Sequence, residues 1–323
     1  MNLRRVFFLA ATLPAAAFAQ QQPQTGVQPA SHRTVPELDG HVFAPSLLVD
    51  TPFRETTFQL GLLYGVGKAT GPNYEVSGKK VVQNGTASYT FADLAQTFRY
   101  EYRFADWLSA GLVVLTNAYT GIDGPSVVSI GASVSVGAGL RAKAGYRFGP
   151  VETALVFEAS SQPQYGVLVI AALARAIQDG VIDAGSALQS TRTLTYSPTL
   201  AASWAPSPAF GLTANAGYLH RTLRTSGTTI ADKDGVQLAI AGDFDFAKIS
   251  SVPIGLLAAY RLTTPLGSDN LALERVDDIS GGIFYTGIRE LSIGLEVGWR
   301  AFEIRPPLDS SGVLAQLGVQ YYW

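Results

Sequence analysis
A general base that works near neutral pH is most often histidine, so the imidazoles are the first place to look for chemistry. The chain has only His32, His41 and His220. None stands in a pattern with a nucleophile or with metal-ligating carboxylates. His32 and His41 precede the first strand-like segment. His220 shares the parity of Leu212, Ala214, Ala216 and Tyr218, which places it on an apolar face as an interfacial polar residue. Asp232-Lys233-Asp234-Gly235 opens like a calcium loop, but no twelve-residue pattern with a closing Glu follows, and Asp-Gly is ordinary turn chemistry. Gly65-Val66-Gly67-Lys68 has the wrong spacing for a phosphate loop, and Ala69 stands where Ser or Thr is needed. The expectation is a protein that is not an enzyme and carries no cofactor or metal.

Composition points elsewhere. Hydrophobic residues make up 47% of the 323 and charged ones 15%, well under the roughly 25% usual for soluble domains. No run reaches the roughly 18 apolar residues of a membrane helix. The 23 basic and 25 acidic residues leave no nucleic-acid footprint, and the absence of Cys removes disulfides and thiol chemistry. At the N-terminus, Arg4 and Arg5 precede an apolar stretch from Val6 to Leu13 and a small-x-small site at Ala17-Phe18-Ala19. Residues 1–19 therefore read as a secretory signal peptide, whose apolar core is too short to span a bilayer.

The elements that must position any site have a period of two. From Val128 to Phe148 every even position is apolar, while the odd positions are Ser, Gly, Arg141, Lys143 and Arg147. Successive strand residues face opposite sides, so one face is apolar and the other small or charged. The same alternation runs through 58–66, 98–104, 236–246, 254–262, 291–299 and 313–323, and less cleanly near 107–118, 151–160, 194–205, 209–221 and 279–287. That predicts twelve strands. Connections alternate between short ones (near 105–106, 149–150, 206–208, 247–251 and 288–290) and longer ones (near 68–91, 119–126, 161–193, 222–234, 265–278 and 303–311). Splitting 128–148 at Gly137-Ala138-Gly139 would give fourteen strands and place every later long connection on the short-turn side. A single long strand is preferred, rising about 50 Å against an apolar band of about 25 Å. Aromatic residues gather at predicted strand ends: Phe58, Phe104, Trp107, Tyr146, Phe148, Trp204, Phe210, Phe246 and Trp323 at one rim, Tyr64, Tyr196, Tyr218 and Trp299 at the other.

With these features the chain resembles Gram-negative outer-membrane β-barrel proteins over residues 56–323. The last strand ends Val319-Gln320-Tyr321-Tyr322-Trp323, and its alternating Val319, Tyr321 and Trp323 resemble the terminal signal read by the barrel-assembly machinery, with Trp in place of the usual Phe. The resemblance implies an all-β fold, a single antiparallel transmembrane β-barrel with long extracellular loops and short periplasmic turns. It implies the outer membrane as location, with membrane lipids and the assembly machinery as partners. More weakly, the chain resembles outer-membrane transporters of hydrophobic or aromatic compounds. It lacks the Asn-Pro-Ala hatch motif and the fourteen strands of the long-chain fatty-acid transporters.

Parity places Arg99, Glu101, Arg103, Arg141, Lys143, Arg147, Glu152, Glu158, Asp243, Asp245, Arg261, Glu296 and Arg300 toward the lumen. Their near balance of sign argues against a strongly ion-selective ring. Two readings stay open: salt-bridged networks filling a small barrel, or a transverse field guiding a polar or amphipathic solute. The third long connection carries an Ala-rich apolar run, 166–178, with helix propensity and a stop at Asp179-Gly180. Its Val167, Leu168, Ile170, Leu173 and Ile177 are candidate gate or plug residues, or rim packing. Residues 20–55 form a periplasmic N-terminal linker. Its apolar part, 37–55, either plugs the periplasmic mouth or seals the first strand. The leading expectation is passive passage of small solutes, hydrophobic or aromatic ones included; the alternative is a non-transporting structural barrel or a component of an envelope complex.

Overall fold
A computed structural model describes residues 35–77, 80–179, 187–225, 228–266, 275–303 and 309–323. Residues 1–19, read from the sequence as a signal peptide, lie outside them. The described chain begins with a minimal hairpin, β1 (Glu37–Leu38) and β2 (His41–Val42), which turns at Asp39 and Gly40 with φ of 50° and 85°. Such positive φ values suit the two central residues of a tight hairpin turn, and Asp-Gly is a favoured pair there.

Twelve long strands follow: β3 (Thr57–Ser77), β4 (Lys80–Ala105), β5 (Leu108–Gly121), β6 (Ala132–Phe148), β7 (Val151–Val167), β8 (Leu188–Ser207), β9 (Phe210–Thr225), β10 (Thr228–Asp245), β11 (Ile254–Leu266), β12 (Arg275–Tyr285), β13 (Leu291–Glu303) and β14 (Asp309–Tyr322). Each pairs antiparallel with its sequence neighbours, and β14 closes on β3 with Leu317 opposite Leu62 and Tyr321 opposite Phe58. Closure leaves no strand edge unpaired, the condition for an all-β wall in lipid.

Facing follows the alternation. On β6, Val134, Val136 and Leu140 are 53%, 54% and 64% exposed on the outside, while Arg141 and Lys143 are 3% and 7% exposed inside. Phe58, Phe104, Trp107, Tyr146, Phe148 and Trp323 project outward around the short-turn rim, and Tyr64, Tyr196 and Trp299 around the other. On β5, where both parities are apolar, Leu112 and Val114 face out and Val113 is buried inside.

Two expectations are corrected. The alternation from Val128 is not all strand: Gly124–Ile130 is a short helix, α1, and β6 starts at Ala132. The Asp123 side chain accepts from Ser126 N at 2.8 Å, and Gly131, at φ 71°, ends the helix. A local cap with Pro125 in the first turn therefore overrides an accidental period of two. The connection read at 68–91 is mostly strand, because β3 and β4 keep pairing as far as Ser77 opposite Lys80. Gly137-Ala138-Gly139 lies inside β6, so the twelve-strand topology holds.

One close approach fixes an interior aromatic. A Cβ on inward-facing Gly294 of β13 would run into the ring of Phe284 on β12, which is 4% exposed. Gly294→Val should displace that ring and lower barrel stability by about 1–3 kcal/mol, as overpacking does. The measurement is the temperature at which the folded gel mobility is lost; an unchanged temperature would show that Phe284 has room elsewhere.

Candidate functional site
The lumen is not empty at the short-turn end. Residues 35–56 run inside it and meet two unlike walls. On one side Leu48 and Val49 form a buried cluster with Ala239 and Ala241 of β10, Leu257 and Ala259 of β11, and Phe284, with Leu47 packed against it. Small inward side chains let the segment come this close. Leu38, Phe43 and Phe53 form a second cluster with Ala205 of β8. Each large apolar side chain so buried contributes about 1.5–3 kcal/mol, which makes burial the main force seating the segment.

The opposite wall, on β4, β6 and β7, is charged. Arg141 Nη2 donates to Asp50 at 2.7 Å and Nη1 to Glu158 at 2.9 Å, with Glu101 3.7 Å from its Nε. Lys143 Nζ donates to Glu101 at 3.1 Å and to the Phe53 carbonyl at 2.9 Å. Arg99 lies 3.8 Å from Asp50 and 4.0 Å from Glu158. Arg54 pairs with Glu152 and also donates from Nε to the Asp106 carbonyl at 2.8 Å. Arg103 lies 4.0 Å from Glu55. At the rim Arg147 donates to Asp39 at 2.6 Å, and Arg289 pairs with Glu37.

Backbone groups of the segment are satisfied by the wall. Ala44 N donates to Asp243 at 2.6 Å, and His41 Nε2 lies 2.7 Å from the other oxygen of that carboxylate. Leu47 N donates to Glu296 at 2.8 Å. Asp50 N and O bond the Asn215 amide at 2.7 and 2.8 Å. A buried irregular segment must place its polar backbone groups somewhere, and here the barrel's inward side chains receive them.

Most of the lumen charges expected from the sequence are thus brought together around one segment. Asp245 accepts from Ala247 N at 3.0 Å and from Thr286 Oγ1 at 2.9 Å at the rim. Arg261 and Arg300 stand apart and share Asp278, at 2.7 and 2.5 Å. Asp278 was not among the expected residues, because its stretch reads as loop. His41, Asp50, Arg54 and Glu55 were missed because they precede the barrel and carry no alternation; the apolar run Leu47-Leu48-Val49 was the available signal.

The candidate gate run lies at the long-loop end. Its helix, α2 (Val169–Asp179), packs against α1 and β4. Leu168, Ile170 and Ile177 are half-buried, and Leu173 is 39% exposed. Val167 ends β7 on the outer face, 41% exposed. Outside the lumen, His220 bonds Asp234 at 2.8 Å near the rings of Tyr196 and Tyr218.

Two carboxyls of the segment should make its seating pH-dependent. Burial pushes Glu55 up to about 7, against the pull of Arg103, Lys143 and Arg54. Burial acts upward on Asp50 too, but Arg141 and Arg99 outweigh it and hold that group well below the usual carboxylate range. A raised acid contributes stability that is full below its ordinary value of 4.5 and is lost as pH rises through about 7. A lowered acid contributes above its ordinary value of 3.8 and loses that contribution as pH falls. Seating should therefore be firmest near the ordinary carboxylate values of 3.8 and 4.5, loosen as pH rises from 4.5 through about 7, and loosen also as pH falls below 3.8. Hydrogen exchange at Ala44, Leu47 and Asp50 would show it, corrected for intrinsic rates, and Glu55→Gln should abolish the loosening between pH 4.5 and about 7.

Seating leaves a string of voids along β13, β14 and β3. One of about 10 Å³ is lined by Pro45, Gly294, Glu296, Gln316 and Gly318. One of about 40 Å³ lies by Gln59, Arg99, Gln320 and Tyr322. One of about 270 Å³ lies at the short-turn rim.

No protein-family model and no curated protein sequence matches the chain. Among solved structures, the transport unit of the autotransporter AIDA-I from Escherichia coli aligns at TM-score 0.50 and 11% identity, covering 86% of this chain and 94% of that one. The translocator domain of autotransporter NalP from Neisseria meningitidis aligns at 0.50 and 8%, covering 83% and 88%. The Pseudomonas putida toluene transporter TodX aligns at 0.43 and 11%, covering 83% and 89%. The fold is that of outer-membrane β-barrels.

Proposed function
We propose that the protein is an outer-membrane channel of a Gram-negative bacterium, allowing passive passage of small solutes and closed at rest by residues 35–56. The observation that carries this reading is the seated segment. It fills the short-turn end of the lumen but is held there by side-chain contacts rather than by strand pairing to the wall. Such contacts can be released without opening the barrel. In this reading the short turns face the periplasm, and the segment closes the periplasmic mouth. The helix α2 then stands at the extracellular mouth as a second constriction. The outward Tyr321 and Trp323, stacked at 5.6 Å, together with Val319, serve as the signal read by the assembly machinery. The narrow voids beside the segment favour small solutes, and their mixed lining favours amphipathic, hydrophobic or aromatic ones over ions.

The second reading, a non-transporting barrel in an envelope complex, is favoured by how thoroughly the lumen charges are paired. Swelling of liposomes containing the purified protein in small sugars and neutral amphipathic solutes separates the two. Solute-dependent swelling is expected, and stronger at about pH 7 than at pH 4.5, where the segment is more firmly seated. Absence of swelling under every condition would overturn the channel reading.

A further inference from the structure
We propose that Arg192 and Arg224, side by side on the outer face above the aromatic belt, bind the phosphate monoester of a membrane lipid whose acyl chains lie on the apolar wall below. The two arginines stand directly opposite each other across β8 and β9, and both are exposed. They share the outward parity of Tyr196 and His220. Their other neighbours in the ladder are uncharged, Pro163 on β7 and Thr229 on β10. Among the described residues neither guanidinium has an ion pair or a hydrogen-bond partner. Asp232 is exposed on the same face, opposite Thr222, and pairs with neither. Asp234 is taken by His220 and Tyr218. Like charges directly opposite destabilise a strand pair, so an anion that bridges them turns a repulsion into two attractions.

The height of the pair decides what carries the anion. Tyr196 and His220, opposite each other with ring centroids 6.2 Å apart, belong to the aromatic belt at the long-loop rim. Arg192 lies four residues beyond Tyr196, about 13 Å along the strand and about 10 Å along the membrane normal at a tilt near 40°. That is headgroup height. Below the belt, Leu200, Ala216 and Leu238 form one outward apolar row across the same three strands. A ligand matched to both levels has an anion above and hydrocarbon beneath. Charge then selects the anion. Two guanidiniums present two positive charges and two planar forks of donors. A phosphate monoester answers with roughly 1.5 to 2 negative charges near neutral pH and three terminal oxygens, where a diester has one charge and two such oxygens. In the orientation proposed above, this lipid lies in the extracellular leaflet. Binding requires only that the wall stands in lipid, and not that solutes cross it.

Phosphatidic acid and phosphatidylglycerol with the same acyl chains make the test, the first a monoester and the second a diester. Native mass spectrometry of the full chain released from detergent should show phosphatidic acid retained in preference to phosphatidylglycerol. Arg192→Gln and Arg224→Gln should each weaken that retention about 10-fold or more, the range of a hydrogen bond between charged groups. Arg275→Gln removes an outward cation on β12 that is paired with Asp277, and should leave it unchanged. Folded gel mobility confirms that the variants keep the barrel. Equal retention of the two lipids, or equal loss in Arg275→Gln, would reduce the pair to general surface attraction and overturn the assignment. So would the absence of retained phosphatidic acid in the unaltered protein. Inorganic phosphate should fail to displace the lipid; displacement at equal concentration would mark a site for free phosphate and overturn the lipid assignment. Failure of liposome swelling with phosphatidic acid binding intact would remove the channel reading and leave this site standing.

Discussion
Deleting residues 35–55 should turn a barrel of low conductance into one with a stable open level in planar bilayers, a rise of about an order of magnitude or more. The expectation follows from what the segment occupies. It fills the lumen between the small apolar wall of β10 to β12 and the charged wall of β4 to β7, leaving voids of about 10 and 40 Å³ alongside. A void of 10 Å³ is at the limit for one water molecule, so this void gives ions no wet path beside Pro45 and Glu296. The barrel should survive the deletion, because every wall strand begins at Thr57 or later and closure rests on the β14–β3 ladder. Thr56 is retained because its carbonyl accepts from Trp323 N at 3.1 Å. The deletion also leaves Glu101, Glu152, Glu158 and Asp243 facing water beside Arg99, Arg141 and Lys143, so the open state should be weakly selective. A folded deletion variant with unchanged conductance would mean that the constriction lies elsewhere, with α2 the next element to remove.

Replacing Arg141 by Ala should unseat the segment at a cost of about 3–5 kcal/mol, the second large effect. Arg141 is 3% exposed and reaches Asp50, Glu158 and Glu101, so its loss leaves three carboxylates with only Lys143 and the more distant Arg99. The desolvation of those carboxylates is already incurred in the closed barrel, and losing the cation removes what offsets it. An intact cluster of this kind adds little net stability over an apolar one of the same shape, and its worth is in register. Burial of Leu48, Val49 and Phe53 draws the segment in; the Arg141–Asp50 contact decides where along the lumen it stops. The readout is hydrogen exchange at Ala44, Leu47 and Asp50, whose amides donate to Asp243, Glu296 and Asn215. Protection there should fall in Arg141→Ala and Asp50→Asn alike, and the double variant should cost less than the two added together. Full additivity, or protection unchanged in Arg141→Ala, would show that the ionic contact does not hold the segment.

Strand number and facing were legible because they are local. A residue's side of the wall depends only on its parity, so Val134 and Arg141 are assigned by their neighbours in β6. The same reasoning placed the inward charges, including Asp243 and Glu296, without knowing what they meet. It failed where a local cap competed with it, at Asp123 and Gly124, and where pairing extended past the apolar band, in β3 and β4. Asp278 escaped because its stretch reads as loop until Arg261 and Arg300 are seen beside it.

The balance of charge by itself left two readings, networks filling the lumen or a field guiding a solute. Much of that balance now has partners on a segment with no alternation of its own. Arg141 meets Asp50 and Arg54 meets Glu152 across sequence separations of 91 and 98 residues. No period in the chain encodes such contacts, because they exist only once twelve strands have closed and given the lumen its width. The sequence alone thus determined the wall: its strands, its two faces and the sign of its inner charges. The tertiary structure decided what stands inside it, since contact across the lumen depends on closure, on small Ala residues that admit Leu48 and Val49, and on the Asp50 carboxylate brought within 3 Å of Arg141, far away in the chain.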